Sequence, residues 1–168
     1  HLISLSRFMT LRQTGMQINL KDEKMKRIML DTSVYGRLVE DIGLAEKIGL
    51  LVPKEYVVYG IKTIREELKD TPRKIRLKEA SKRLLLLRIY DSLIRKDHHD
   101  LKYNKLIETL AEDYFKEYKK EKGSLSNEEM KNDLIIIAAA TIYQLDIVVS
   151  DDERSMFLAC LKESAPCK

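Results

Sequence analysis

"IMLDTSVYG", residues 28–36, is a short apolar run that stops at an acid, followed by two hydroxylated residues and the start of a helical pattern. Asp31 decides the fold class. Asp, Thr and Ser after a strand are good helix N-caps. An acid at the end of a buried strand can equally mark the carboxyl edge of a parallel sheet, where open α/β proteins place their ligands. The choice between cap and site depends on what else reaches that edge.

Outward from Asp31, residues 26–30 read as a buried strand. Residues 32–48 carry Leu38, Ile42, Ala45 and Ile48 as one helical stripe, weakened by Gly43. Pro53 breaks that helix, and "YVVYG" is a second strand. "TIRE" from Thr63 has the pattern of a capping box opening the next helix, with Glu66 as its acid. Pro72 interrupts this helix, and residues 73–118 read as mostly helical. Gly123 suits a helix C-terminus. "SNEE" from Ser126 is a second capping box, opening a helix through "MKNDLIIIAAATIYQ". "LDIVVS" is a short, β-branched strand, and "SDDE" from Ser150 suits the cap of a further helix. Strands alternating with helices predict an α/β fold with a parallel sheet covered on both faces.

Residues 1–24 show no clean period and read as a leader, tag remnant or N-terminal arm; residues 25–168 read as a single domain. At 44% hydrophobic and 35% charged, the composition excludes a disordered chain. The longest apolar run, "LIIIAAATIY", is too short to cross a bilayer, and no signal-peptide pattern opens the sequence. Cys160 and Cys167 match no zinc spacing and form no disulfide framework. These features predict a cytoplasmic protein with no membrane role. A net charge of +4 permits a nucleic-acid partner without requiring one.

Several acids converge on the predicted sheet edge. Asp31 ends the first strand, and Asp151 and Asp152 end the "DIVV" strand. Glu66 and Glu67 lie in the first turns of the helix after "YVVYG". Glu66 has the capping task, so the functional role falls to Glu67. Asp133 sits two turns inside its helix, where capping does not explain it. Carboxylates crowded together stay ionised when a cation neutralises them. An all-oxygen site suits Mg²⁺ or Mn²⁺ rather than zinc. Such ions activate water and stabilise phosphoryl transition states, which points to phosphodiester hydrolysis.

These motifs resemble the PIN domain, in the order "LDTSVYG", "IREEL", "NDLIIIAAA" and "VVSDDE", spanning roughly residues 26–157. The resemblance implies a three-layer α/β/α sandwich around a central parallel sheet, and an Mg²⁺- or Mn²⁺-dependent ribonuclease. Asp31, Glu67, Asp133 and Asp152 would form the metal site, with Ser150 orienting an acid or a water. Asp151 is an additional acid that either shares metal binding or replaces Asp152. The helical, charged insert between Glu67 and Asp133 departs from the family pattern. The resemblance also implies RNA as substrate, a homodimer, and, for a toxin similar to VapC, an antitoxin partner. A housekeeping RNA-processing or decay nuclease and a non-catalytic RNA-binding module are the alternatives.

Two other acid-edged α/β classes fit less well. An aspartyl-phosphate phosphatase wants a second Asp two residues after the first, where Ser33 stands. A phosphotransfer receiver wants an acidic pair after its first strand, which "DTS" lacks. Among the cations, Arg37, Arg65, Arg73 and Lys74 are candidates for holding substrate phosphates. Tyr35 and Tyr59 are candidates for stacking on bases, with packing the competing use. "DHHD", residues 97–100, reads as an exposed turn rather than a metal site.

Overall fold

The apolar run before Asp31 is the middle strand of an all-parallel sheet. The computed structural model describes residues 8–10, 25–52, 54–77, 79–94, 97–121 and 123–151. Its elements are β1 (Phe8–Thr10), β2 (Lys26–Leu30), α1 (Thr32–Glu40), α2 (Ile42–Leu51), β3 (Tyr56–Ile61), α3 (Lys62–Asp70), β4 (Arg76–Leu77), β5 (Ala80–Ser81), α4 (Lys82–Leu93), β6 (Asp100–Leu101), α5 (Lys105–Lys120), α6 (Asn127–Ile142) and β7 (Ile147–Ser150). A 3₁₀ turn covers Asp97–His99.

The main sheet has the order β1-β7-β2-β3-β6. Register places Met29 beside Tyr59 on one side and Val148 on the other. Central parallel strands are covered on both faces, which is why β2 and β7 read as continuous apolar runs. The β2–β3 and β3–β6 connections step one way across the sheet, and the β6–β7 return steps the other way. Right-handed crossovers then set α1–α4 on one face and α5–α6 on the other. This is the expected three-layer sandwich.

Helix α6 is the helix the core is built on. Every residue from Leu134 to Ala140 is buried, as expected of a helix that is apolar all round. The three alanines let it lie close to its neighbours. At its start, Ser126 Oγ accepts from the Glu129 N–H at 3.3 Å and Glu129 Oε2 accepts from the Ser126 N–H at 2.7 Å, so the "SNEE" box forms. At its end, Gln144 has φ 53°. The Leu145 N–H donates to Ala140 O and the Gln144 N–H to Thr141 O, closing a Schellman motif.

Elsewhere the structure differs from the sequence reading. Residues 32–48 form two helices, because Asp41 ends α1 and its side chain accepts from the Leu44 N–H to cap α2. The Thr63 capping box does not form. Strand β3 runs on to Ile61 and α3 begins at Lys62, which puts Thr63 inside the first turn; Glu66 pairs with Lys62 instead. Residues 73–118 are not mostly helical: they hold the β4–β5 hairpin and the edge strand β6 as well as α4 and α5. Two-residue strands carry no legible alternation. Within the segment before residue 25, Phe8–Thr10 pairs with β7 as an edge strand. Gly123 matters for space rather than for φ: a Cβ there would lie 2.1 Å from the Tyr118 ring.

Helix α4 runs antiparallel to α1. Lys82 at its start pairs with Glu40 at the end of α1 at 2.7 Å. Tyr90 near its end packs on Tyr35, with ring centroids 5.5 Å apart, and reaches Ile61 O at the end of β3. Gly60 makes room for this, since a Cβ there would meet the Tyr90 hydroxyl at 2.1 Å. The β4–β5 hairpin therefore lies at the end of the helical layer away from the carboxyl ends of the strands, about 12 Å along α4 at 1.5 Å per residue. No helix among the described residues is long and apolar enough to cross a membrane.

Candidate functional site

Asp31 takes the N-cap position of α1 with extended backbone (φ −68°, ψ 161°), yet its side chain makes no capping bond. Its carboxylate turns inward. Oδ2 accepts from Ser33 Oγ at 2.7 Å and from Ser150 Oγ at 3.0 Å. Its N–H donates to Val149 O at 2.8 Å, which fixes the end of β2 against β7. Asp31 and Ser150 are the buried polar residues of the described chain, at 5% and 4% exposure. No hydrogen bond among the described residues engages Asp31 Oδ1, and no Lys, Arg or His among them forms an ion pair with Asp31.

Burying a carboxylate without a cation costs several kcal/mol. Two hydroxyl donors offset part of that cost, at about 1.5–3 kcal/mol for hydrogen bonds to a charged group. The N-terminus of α1 adds a favourable dipole. Ser33 is the junction of this network. Its hydroxyl donates to Asp31, accepts from the Asp151 N–H at 3.0 Å, and lies 3.4 Å from Ser150 Oγ. The loop after β7 is thereby fastened to the first turn of α1.

A second network adjoins the first through Thr32. The Thr32 hydroxyl donates to Glu67 Oε2. Glu67 Oε1 accepts from Asn132 Nδ2 at 2.5 Å. Glu67 is half-buried on α3 and so ties α1 to α6. The neighbouring Glu66 is exposed and pairs with Lys62 at 3.5 Å. Asp133, half-buried, occupies the position after Asn132.

Of the expected acids, Asp31 and Asp151 are thus linked through Ser33, and Glu67 is linked to the same turn through Thr32. Asp152 lies outside the described residues, as do both cysteines and the helix expected after "SDDE". Among the described residues, no three Asp, Glu, His or Cys side chains come close enough to hold a metal ion. The side-chain donors on Asp31 and Glu67 are the hydroxyls of Ser33, Ser150 and Thr32 and the amide of Asn132. The set is all oxygen apart from Asn132 Nδ2, without His or Cys, and its chemistry fits a hard cation such as Mg²⁺ or Mn²⁺.

Three of these residues escaped the sequence reading. Thr32 and Ser33 passed as generic capping residues. Asn132 stood beside the expected acid and drew no attention, although an Asn inside a helix has poor propensity and wants a reason.

The cations from Arg65 to Lys82 do not form one patch. Arg65 pairs with Asp91 at 3.3 Å, Arg76 Nη2 donates to Glu79 O within the hairpin, and Lys82 holds Glu40. Arg37 is exposed on α1. Arg73 and Lys74 are exposed beyond α3, toward the hairpin end of the layer, with no ion-pair partner among the described residues. Tyr35 is fully buried and packs on Tyr90, so base stacking falls away for it. Its hydroxyl has no hydrogen-bond partner among the described residues, and burial pushes its ionisation well above the usual tyrosine value. Tyr59 is half-buried beside His99, with ring centroids 4.9 Å apart. The "DHHD" segment is a 3₁₀ turn leading into β6, with His98 exposed.

The three-layer architecture, with an acid ending the central strand, matches the PIN-like fold of solved structures. Chains of three solved toxin–antitoxin structures share it with this protein. VapBC2 from Rickettsia felis, bound to a DNA fragment from its promoter, matches with TM-score 0.57 and 17% identity over 76% of this chain and 89% of that one. DNA-bound VapBC from Salmonella typhimurium matches with TM-score 0.53 and 16% identity over 77% and 89%. VapBC-1 from nontypeable Haemophilus influenzae matches with TM-score 0.55 and 18% identity over 81% and 93%. No protein-family model matches the chain, and no curated protein matches it by sequence.

Proposed function

We propose that this protein is a divalent-metal-dependent endoribonuclease of the VapC toxin type, acting on RNA in the cytoplasm. The observation that carries the proposal is Asp31. A capping acid would spend its oxygens on the N–H groups of α1, whereas Asp31 is buried, held on one oxygen by two serines, and paired with no cation among the described residues.

Asp31, Glu67, Asp133 and Asp151 or Asp152 would hold Mg²⁺ or Mn²⁺. A bound divalent cation makes a water more acidic and neutralises charge building on the phosphate. The chain's own residues set the stage. Ser33 and Ser150 fix Asp31 with Oδ1 open, and Ser33 draws the Asp151 backbone to the same turn. Thr32 holds Glu67 one residue further along α1. Arg65 would take a phosphate close to the acids by exchanging an exposed ion pair with Asp91 that is worth little in water, and Arg37, about 9 Å along α1 from Asp31, would take one farther from them. Arg73 and Lys74, beyond α3, would take phosphates of an RNA that extends past the acids.

An antitoxin partner is supported by a second feature. Helix α2 buries none of its residues, and Ile42, Leu50 and Leu51 are exposed. An apolar groove of about 390 Å³, lined by Leu38, Val39, Ile42, Ala45, Leu85 and Ile89, runs between α1, α2 and α4. An apolar face of this kind suits a partner helix or strand, and the three solved structures named above are VapBC complexes.

Cleavage of end-labelled single-stranded RNA tests the proposal. Cutting with Mn²⁺ or Mg²⁺, loss with EDTA, and products bearing 5′-phosphates are expected, and Asp31→Asn should abolish cutting. Cutting that persists in EDTA, or an Asp31→Asn variant as active as wild type, overturns it.

A further inference from the structure

We infer that Asn132 is a positioning residue for Glu67, setting which lone pairs of that carboxylate are open to a divalent cation. The inference rests on Glu67 serving as a metal ligand. Glu67 is held on both oxygens by side chains from two different helices: Thr32 of α1 on Oε2 and Asn132 of α6 on Oε1 at 2.5 Å. A Glu side chain on a helix has three rotatable bonds and is poorly specified by its own backbone. The two donors remove that freedom. Each takes one lone pair of one oxygen, which leaves one lone pair on each oxygen for an ion.

The amide suits this position for a chemical reason. A lysine or arginine at 132 would neutralise Glu67 and compete with a cation, whereas an amide orients the carboxylate without cancelling its charge. An aspartate there would supply no donor. Asn132 also sits on α6, the most deeply buried helix of the described chain, so its backbone is rigid where Glu67 needs a fixed reference. Groups that orient metal ligands typically contribute 10–100-fold to affinity.

Titration of the full chain with Mn²⁺ alone, without RNA, followed by calorimetry, tests the inference. Asn132→Ala should weaken Mn²⁺ binding by about tenfold or more, with the thermal midpoint of the metal-free protein little changed. Thr32→Ser, which keeps a hydroxyl, should stay within about twofold, and Thr32→Val should weaken binding like Asn132→Ala. Glu67→Gln should lose most binding. If Asn132→Ala binds Mn²⁺ as wild type does while Glu67→Gln does not, the positioning role is wrong and the metal site stands. If Glu67→Gln binds as wild type does, Glu67 is no ligand and both fall. Should Asn132→Ala unfold, the wild type still decides. The Asn132 side-chain amide in a ¹⁵N–¹H spectrum should be shifted from the free-amide range without metal and should move on adding Mg²⁺. An amide at the free-amide position that ignores Mg²⁺ overturns the inference.

Discussion

Ser150 Oγ donates to Asp31 Oδ2 at 3.0 Å, joining residues 119 apart in sequence. The bond ties the carboxyl ends of β2 and β7, two adjacent strands of the sheet. It explains why a buried serine ends β7: a short hydroxyl there reaches the neighbouring strand's acid without filling the space beside it. Ser150→Ala removes one of two donors to a buried carboxylate. We expect a loss of about 2 kcal/mol by urea denaturation at unchanged m-value. A loss below about 0.5 kcal/mol would mean that Ser33 alone satisfies Asp31.

Tyr35→Phe should move stability the other way. The Tyr35 hydroxyl is buried and unpartnered among the described residues, and an unsatisfied buried polar group costs about 1–3 kcal/mol. Removing it while keeping the ring against Tyr90 should raise stability by about 1 kcal/mol. Destabilisation by the same amount would reveal a partner for that hydroxyl.

The fold was largely legible because α6, β2 and β7 are long or strongly apolar signals. The acids at the strand ends follow from those three elements. Elements defined by a few residues were not legible: β4, β5 and β6 have two residues each, and β1 has three. The break at Asp41 was missed because residues on both sides share one apolar stripe; Asp41 itself, a good N-cap three residues before Leu44, was the available signal. The Thr63 box failed because strand β3 continues one residue past the predicted "YVVYG", to Ile61, and α3 begins at Lys62, ahead of the expected cap. Within the candidate site, the positions of Asp31 and Glu67 could be read from order and spacing. The donors that hold them could not, since Ser33–Ser150 and Glu67–Asn132 are contacts made by the fold rather than by neighbours in sequence.

Gln144 occupies the left-handed region at the C′ position of α6. A non-glycine residue there carries roughly 1 kcal/mol of backbone cost. Gln144→Gly should stabilise the protein by up to about 1 kcal/mol, read as a higher thermal midpoint. The carbonyl of residue 144, which accepts from Arg27 Nη2, is a backbone group and survives the change. A lower midpoint would show that the Gln144 side chain contributes more than its backbone costs.

The α6 capping box gives a pH signature. The Ser126 backbone N–H, and then its hydroxyl, hold Glu129 below the ordinary carboxylate value of 4.5. A carboxyl lowered in the folded state contributes stability that is present above its unfolded value and lost as pH falls through its folded value. Wild type should therefore melt higher than Glu129→Gln above pH 4.5, with the gap closing as pH drops below that. A gap independent of pH would mean that the capping bond does not depend on the charge. Because Glu129 lies at the surface, the gap should also shrink in high salt.

The most direct measurement is the position of Mn²⁺ in crystals of the full chain, located by anomalous scattering. The account predicts an ion within about 2.0–2.2 Å of an Asp31 carboxylate oxygen, with Glu67 as a second ligand and Ser33 and Ser150 still on Asp31 Oδ2. Crystals soaked in millimolar Mn²⁺ that show an ion elsewhere, or none at Asp31, would contradict it and return Asp31 to a structural role at the junction of β2 and β7.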